Sequence, residues 1–235
     1  MKNTPDMQGP LKERSFETKL AGLSLIVAPA LLLLANAIDP SASDKAAARL
    51  PEISGNPTRY VAAGYLMVVA AWAFVPGLIG VWRLFQGPRV TVGQVGTGLL
   101  LIGMITTIAF FGFGVYEYEA ATSGLDPAQM ARLVDNAEAS AVAIPLLVVF
   151  LLGVVVGSLC LAWSLWRRRI VPVWSPVAIV VGTILNFLAD SAALSATAFA
   201  FQLVGFGWIG LRLLRGTGAT ADAWRASSTT SSATT

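Results

Sequence analysis

Residues 139–166 read ASAVAIPLLVVFLLGVVVGSLCLAWSLW, with no charged residue anywhere in the run. As an α-helix rising about 1.5 Å per residue, this run is longer than the roughly 30 Å apolar core of a bilayer. Arg167, Arg168 and Arg169 follow at once. A core helix of a soluble domain keeps a polar face toward water, and this segment has none. An uncharged run that ends in an arginine cluster has the form of a membrane-crossing helix whose basic end faces the cytoplasm.

The rest of the chain falls into the same pattern. Residues 20–38, 60–84 and 92–116 are further apolar runs, and 171–214 accommodates two short helices joined by a tight turn near Asp190. Hydrophobic residues make up 55% of the 235 residues and charged ones only 12%, about half the charge of an ordinary soluble domain. The fold expected is an all-α polytopic membrane bundle of six transmembrane helices. Residues 1–19 are a polar cytoplasmic leader, 20–215 form the transmembrane domain, and the Ser/Thr/Ala-rich residues 216–235 read as a disordered cytoplasmic tail. Ala35-Asn36-Ala37 has the shape of a signal-peptidase site. Pro29 within the run and the long leader argue against cleavage there.

Lysine and arginine fix the orientation expected. Lys2, Lys12, Arg14 and Lys19 precede the first run, and Arg83 and Arg89 follow the second. Arg167, Arg168, Arg169, Arg212, Arg215 and Arg225 fall on that same side, against Lys45, Arg49, Arg59 and Arg132 on the other. Basic residues collect in cytoplasmic loops, so both termini are expected in the cytoplasm of a bacterial cell. The net charge of +3 reflects this asymmetry, and nucleic acid is not an expected partner. The chain has no histidine and one cysteine, Cys160. That rules out an intrachain disulfide and a Cys/His metal site within one chain, and no cofactor is expected.

Each larger outer loop is expected to carry a short helix. In the second loop Asp126 is placed to cap, Pro127 suits the first helical position, and Met130, Leu133, Val134 and Ala137 form an apolar stripe. The first loop reads Asp39-Pro40 and then Ala48-Arg49-Leu50, and the second reads Asp126-Pro127 and then Ala131-Arg132-Leu133. Ala48 and Ala131 stand 83 apart, and the span-ending Trp82 and Trp166 stand 84 apart. These offsets point to an internal repeat of helix, outer helix, helix.

Motifs that carry chemistry are few. Gly93, Gly96 and Gly98 lack the lysine of a phosphate loop and read as close helix packing. So do Gly153 and Gly157, a GxxxG pair. No ionisable residue lies near the middle of a span, which argues against a proton pathway. Glu117, Glu119 and Glu138 lie at the outer boundary, and Glu117 and Glu119, two apart, read as solvated residues rather than a catalytic dyad. Asn186 and Asp190 share a helix face, and Ser191, Ser195 and Gln202 continue a polar stripe beyond them. This stripe, with Glu117, is the candidate ligand site. Its plain alternative is a capped hairpin whose polar groups bond to neighbouring helices.

The DP-containing outer loop, the AxARL helix, Asn56-Pro57-Thr58-Arg59-Tyr60 before the second span and the inner Trp-Arg ends together resemble a broad bacterial family. It is one of uncharacterised integral membrane proteins, a domain of unknown function, and the likeness covers about residues 20–215. The resemblance implies a membrane helix bundle and no activity. Three function classes remain. A non-catalytic scaffold, accessory or partner subunit is favoured, because catalytic and metal-binding side chains are scarce. The alternatives are a carrier or channel for a small neutral or lipophilic compound, and an intramembrane enzyme acting on a lipid or isoprenoid through an outer-face carboxylate. The partners expected are the bilayer and either a second copy of the chain or another membrane protein.

Overall fold

The computed structural model describes residues 8–41, 43, 45–85, 91–189 and 191–215. Within them the elements are α1 (Gln8–Ile38), α2 (Ala46–Gly55), α3 (Pro57–Leu84), α4 (Val92–Thr122), α5 (Pro127–Glu138), α6 (Ala143–Leu151), a π-helical turn (Leu152–Val156), α7 (Gly157–Arg167), α8 (Trp174–Leu188) and α9 (Ala192–Arg215). No strand occurs among the described residues. Among the described residues five helices are long and apolar enough to cross a membrane: the Phe16–Ile38 part of α1, then α3, α4, the continuous Ala143–Arg167 helix, and α9. The 15-residue α8 is apolar but shorter. The chain is thus a polytopic helical bundle. Asp190 and the tail at 216–235 lie outside the described residues.

Local chemistry accounts for the helix boundaries. Thr91 and Gln94 form a capping box: the Thr91 amide donates to Gln94 Oε1 at 2.9 Å, and the Gln94 amide donates to Thr91 Oγ1 at 3.4 Å. Asp126 caps α5 through the Ala128 amide, with Pro127 at the first helical position as expected. Pro57 likewise opens α3. The helix over the fourth apolar run starts at Ala143, after a turn at 139–142, slightly later than hydropathy alone implies. Pro29 and Pro76 lie inside α1 and α3, and both helices continue past them.

Glycine decides which helices touch. A Cβ on Gly22 would lie 2.7 Å from the carbonyl oxygen of Gly210, so α1 and α9 meet backbone to backbone. On Gly153 it would lie 2.7 Å from the Gly103 amide nitrogen, and on Gly157 2.8 Å from that of Leu100. The GxxxG pair therefore packs on α4 within the bundle. Ser175 on α8 donates to the Gly205 carbonyl of α9 at 2.9 Å, and Gly182 faces Gln202 there. Gly77 and Gly80 of α3 receive Leu25 and Ala21 of α1. The contacts run in opposite sequence directions at every crossing, so α1, α3, α4, α6–α7, α8 and α9 form an up-and-down ring that closes between α9 and α1. The glycine-rich start of α4 is also packing: Gly93 makes room for the buried Phe85 ring and Gly98 for Trp82. α1 runs unbroken through Ala35-Asn36-Ala37, with Ala35 fully buried.

The two ends of the ring differ. At one end Arg83 pairs with Glu17, Arg168 sits over Phe85, and Arg212 donates to the Ile170 carbonyl at 3.2 Å. At the other end α2 and α5 lie against each other and against the end of α4, burying Ala46, Leu50, Ala131 and Val134 beside Tyr116 and Met130. A long helix, a short helix and a long helix thus occur twice in succession. The AxARL likeness does not carry over as equivalent positions: Leu50 is buried and Leu133 is 46% exposed. The two short helices use different faces because each must fit the other as well as α4.

Candidate functional site

The short-helix end holds a cavity of about 730 Å³ between α3, α4 and the start of α6. Its α3 wall repeats at helical spacing through Tyr60, Gly64 and Val68, and its α4 wall through Thr107, Phe110 or Phe111, Gly114 and Glu117. The helices meet where one side is glycine. A Cβ on Gly64 would fall 2.9 Å from the Phe111 ring, and one on Gly114 would fall 3.4 Å from the Tyr60 hydroxyl. Leu147 on α6 also lines the space. Its aromatic rings pair with one another. Tyr65 and Phe111 lie 5.5 Å apart between centroids, and Phe110 and Phe113 lie 6.1 Å apart.

At the end of the cavity nearest α2 the apolar wall gives way to carboxylates: Asp39, Glu117, Glu119 and Glu138. Glu117 has both oxygens engaged. Arg49 of α2 donates to Oε1 at 2.7 Å, and the Tyr60 hydroxyl donates to Oε2 at 2.8 Å. Arg49 also pairs with Glu138, the last residue of α5. One guanidinium therefore ties α2 to α4 and α5, and Tyr60 ties α3 to the same carboxylate. Burial alone works against the arginine's charge. Glu117 and Glu138 outweigh it and hold the Arg49 pKa above its ordinary value. Asp39, just past the end of α1, accepts from the amide and hydroxyl of Ser41.

The candidate residues from the sequence separate into two places. Glu117 lies in the cavity wall with its side chain only 14% exposed, and is not a solvated surface group. Asn186, Ser191, Ser195 and Gln202 lie along α8 and α9, and none of them is among the residues lining the cavity. Ser191 caps α9, accepting from the Leu194 amide at 3.4 Å, and Ser195 is half-buried. Gln202 is buried against Gly182. Asn186 is half-buried beside Phe187, whose ring meets Phe150.

The sequence does not mark Arg49 and Tyr60 as site residues. Tyr60 stands in the Asn-Pro-Thr-Arg-Tyr segment and Arg49 in AxARL, so both motifs were visible. Neither motif says that its residue turns toward α4.

Residues 20–215 match the family described as domain of unknown function (DUF4386). No curated protein and no solved structure matches the chain.

Proposed function

We propose, from the premise that the chain belongs to the DUF4386 family and takes no named activity from it, that this integral membrane protein binds a small lipophilic molecule in the cavity between α3, α4 and α6. The observation that carries the reading is the joining of an aromatic cavity to a carboxylate cluster at one end. Its volume of about 730 Å³ falls in the range of small-molecule sites, which are largely apolar with a few placed polar groups. A scaffold needs no such space. With both Glu117 oxygens already engaged, a carrier or binding role is better supported than acid catalysis by that residue.

The reading includes a topology. The domain at 20–215 crosses the bacterial cytoplasmic membrane six times, with α8 as the short sixth span, and the basic ring end and both termini lie in the cytoplasm. The cavity then opens at the outer half of the bilayer under the α2–α5 cap, where a lipophilic compound partitions. The α8–α9 stripe around Asp190 serves as a comparison site.

Val68→Trp fills the cavity from α3. In lipid nanodiscs the neutral fluorophore N-phenyl-1-naphthylamine is expected to show a saturable component with wild type, above that of empty discs. It should be lost in Val68→Trp and kept in Asp190→Asn. A saturable component that Val68→Trp leaves intact, or none in wild type, returns the protein to the scaffold class.

A further inference from the structure

The cavity is charged on one side only. Four carboxylates line it, from Asp39, Glu117, Glu119 and Glu138, and no lysine or arginine is among the described residues lining it. Arg49 stands behind the cluster, bonded to Glu117 and Glu138, and does not line the space. Among the described residues lining the cavity, four are carboxylates and none is basic, so the wall itself carries an excess of negative charge. The remaining wall is rich in π-faces: Tyr60, Tyr65, Phe110, Phe111 and Tyr118. Rings attract a cation over their faces, most strongly where water is excluded, and carboxylates at short range repel an anion taken from water. A neutral guest gains from the apolar wall alone.

We infer that the cavity selects lipophilic cations, that is, quaternary onium ions or protonated amines carrying a bulky apolar body. This inference rests on the binding reading above and names the ligand class for the same site. The apolar body occupies the space between Val68, Thr107 and Leu147. The cationic centre lies toward Asp39 and Glu119, the two carboxylates that Arg49 does not pair with in the structure.

Three probes of one shape and different charge test it: tetraphenylphosphonium, tetraphenylsilane and tetraphenylborate. Each is measured by equilibrium dialysis against the full chain in phosphatidylcholine nanodiscs, with empty discs subtracted. Wild type is expected to bind the phosphonium at least about tenfold more tightly than the silane and to show no saturable site for the borate. Asp39→Asn combined with Glu119→Gln should weaken the phosphonium by about tenfold and leave the silane unchanged. Val68→Trp should abolish both, and Thr107→Phe closes the same space from α4 should that variant fail to fold. Equal affinity for phosphonium and silane, both lost on filling the cavity, overturns the charge selectivity and leaves the cavity reading standing. Phosphonium binding that survives filling places the cation elsewhere and overturns the inference. No saturable binding of any probe defeats the cavity reading and this inference together.

Discussion

Arg49 is the residue on which the short-helix end depends. It reaches carboxylates on two other helices, and taking it away leaves Glu117 and Glu138 close together without their shared countercharge. Breaking a fully buried pair costs several kcal/mol. Glu138 is 45% exposed, so solvent screening reduces the effect. Arg49→Ala is expected to destabilise by about 2 kcal/mol in chemical unfolding in mild detergent, and Arg49→Ala/Glu117→Gln to recover part of that loss. Unfolding of Arg49→Ala indistinguishable from wild type would mean the pairs contribute nothing. Tyr60→Phe keeps the ring and removes one hydrogen bond to a charged group, an expected loss of about 1 to 2 kcal/mol. This network was illegible in the sequence for a simple reason. Tyr60 and Arg49 stand 57 and 68 positions from Glu117, and Arg49 and Glu138 are 89 apart. Local spacing identifies Glu117 as a boundary residue and cannot supply partners that only folding brings near. The polar stripe near Asp190 was easier to see because its members sit on adjacent turns, which is also why ordinary capping and packing explain much of it.

At the scale of helices, the sequence was most legible where a rule is local. Asp126-Pro127 does start α5, and the GxxxG pair does pack inside the bundle. The face each short helix buries was not legible, since α2 and α5 pack on one another and hydropathy does not set their register. Two glycines on this framework are expected to respond in opposite ways to the same change. At Gly153 a methyl group would lie 2.7 Å from the Gly103 nitrogen and 2.8 Å from the Leu99 carbonyl oxygen. Those atoms are backbone and cannot swing aside, so α4 must move from the π-helical turn. Gly153→Ala is expected to cost about 1 to 3 kcal/mol. At Gly112 nothing lies within 4 Å of the added atom. Gly112→Ala is expected to stabilise by about 0.5 to 1 kcal/mol, since alanine loses less conformational freedom in a helix. Melting temperatures in one detergent check both signs. A neutral Gly153→Ala would mean the α4 crossing is looser than its backbone contacts imply.

For the whole molecule, the apolar runs and the uneven basic residues were enough to anticipate an all-helical membrane bundle. Closure of the ring was not visible, because the Gly22–Gly210 contact joins the two ends of the domain and no periodic pattern links them. What most needs testing at this scale is whether α8 crosses. Its 15 residues rise only about 22 Å as a helix, less than the roughly 30 Å core. A short span is accommodated by local thinning of the bilayer at modest cost, and α8 is held by α9 through Ser175, Gly182 and Gly205. With α8 counted, the spans are even in number and both termini share a side. Without it they are odd and the termini are opposed. Single cysteines at Ser123, beyond α4, and at Arg215, the last residue of α9, separate the two cases once Cys160 is replaced by serine. In intact cells an impermeant maleimide is expected to label Ser123→Cys, while Arg215→Cys should react only after the membrane is opened. Labelling of both Ser123→Cys and Arg215→Cys from outside would require an odd number of crossings. Protection of Ser123→Cys would invert the bundle and put the α2–α5 cap, with the cavity beneath it, on the cytoplasmic side.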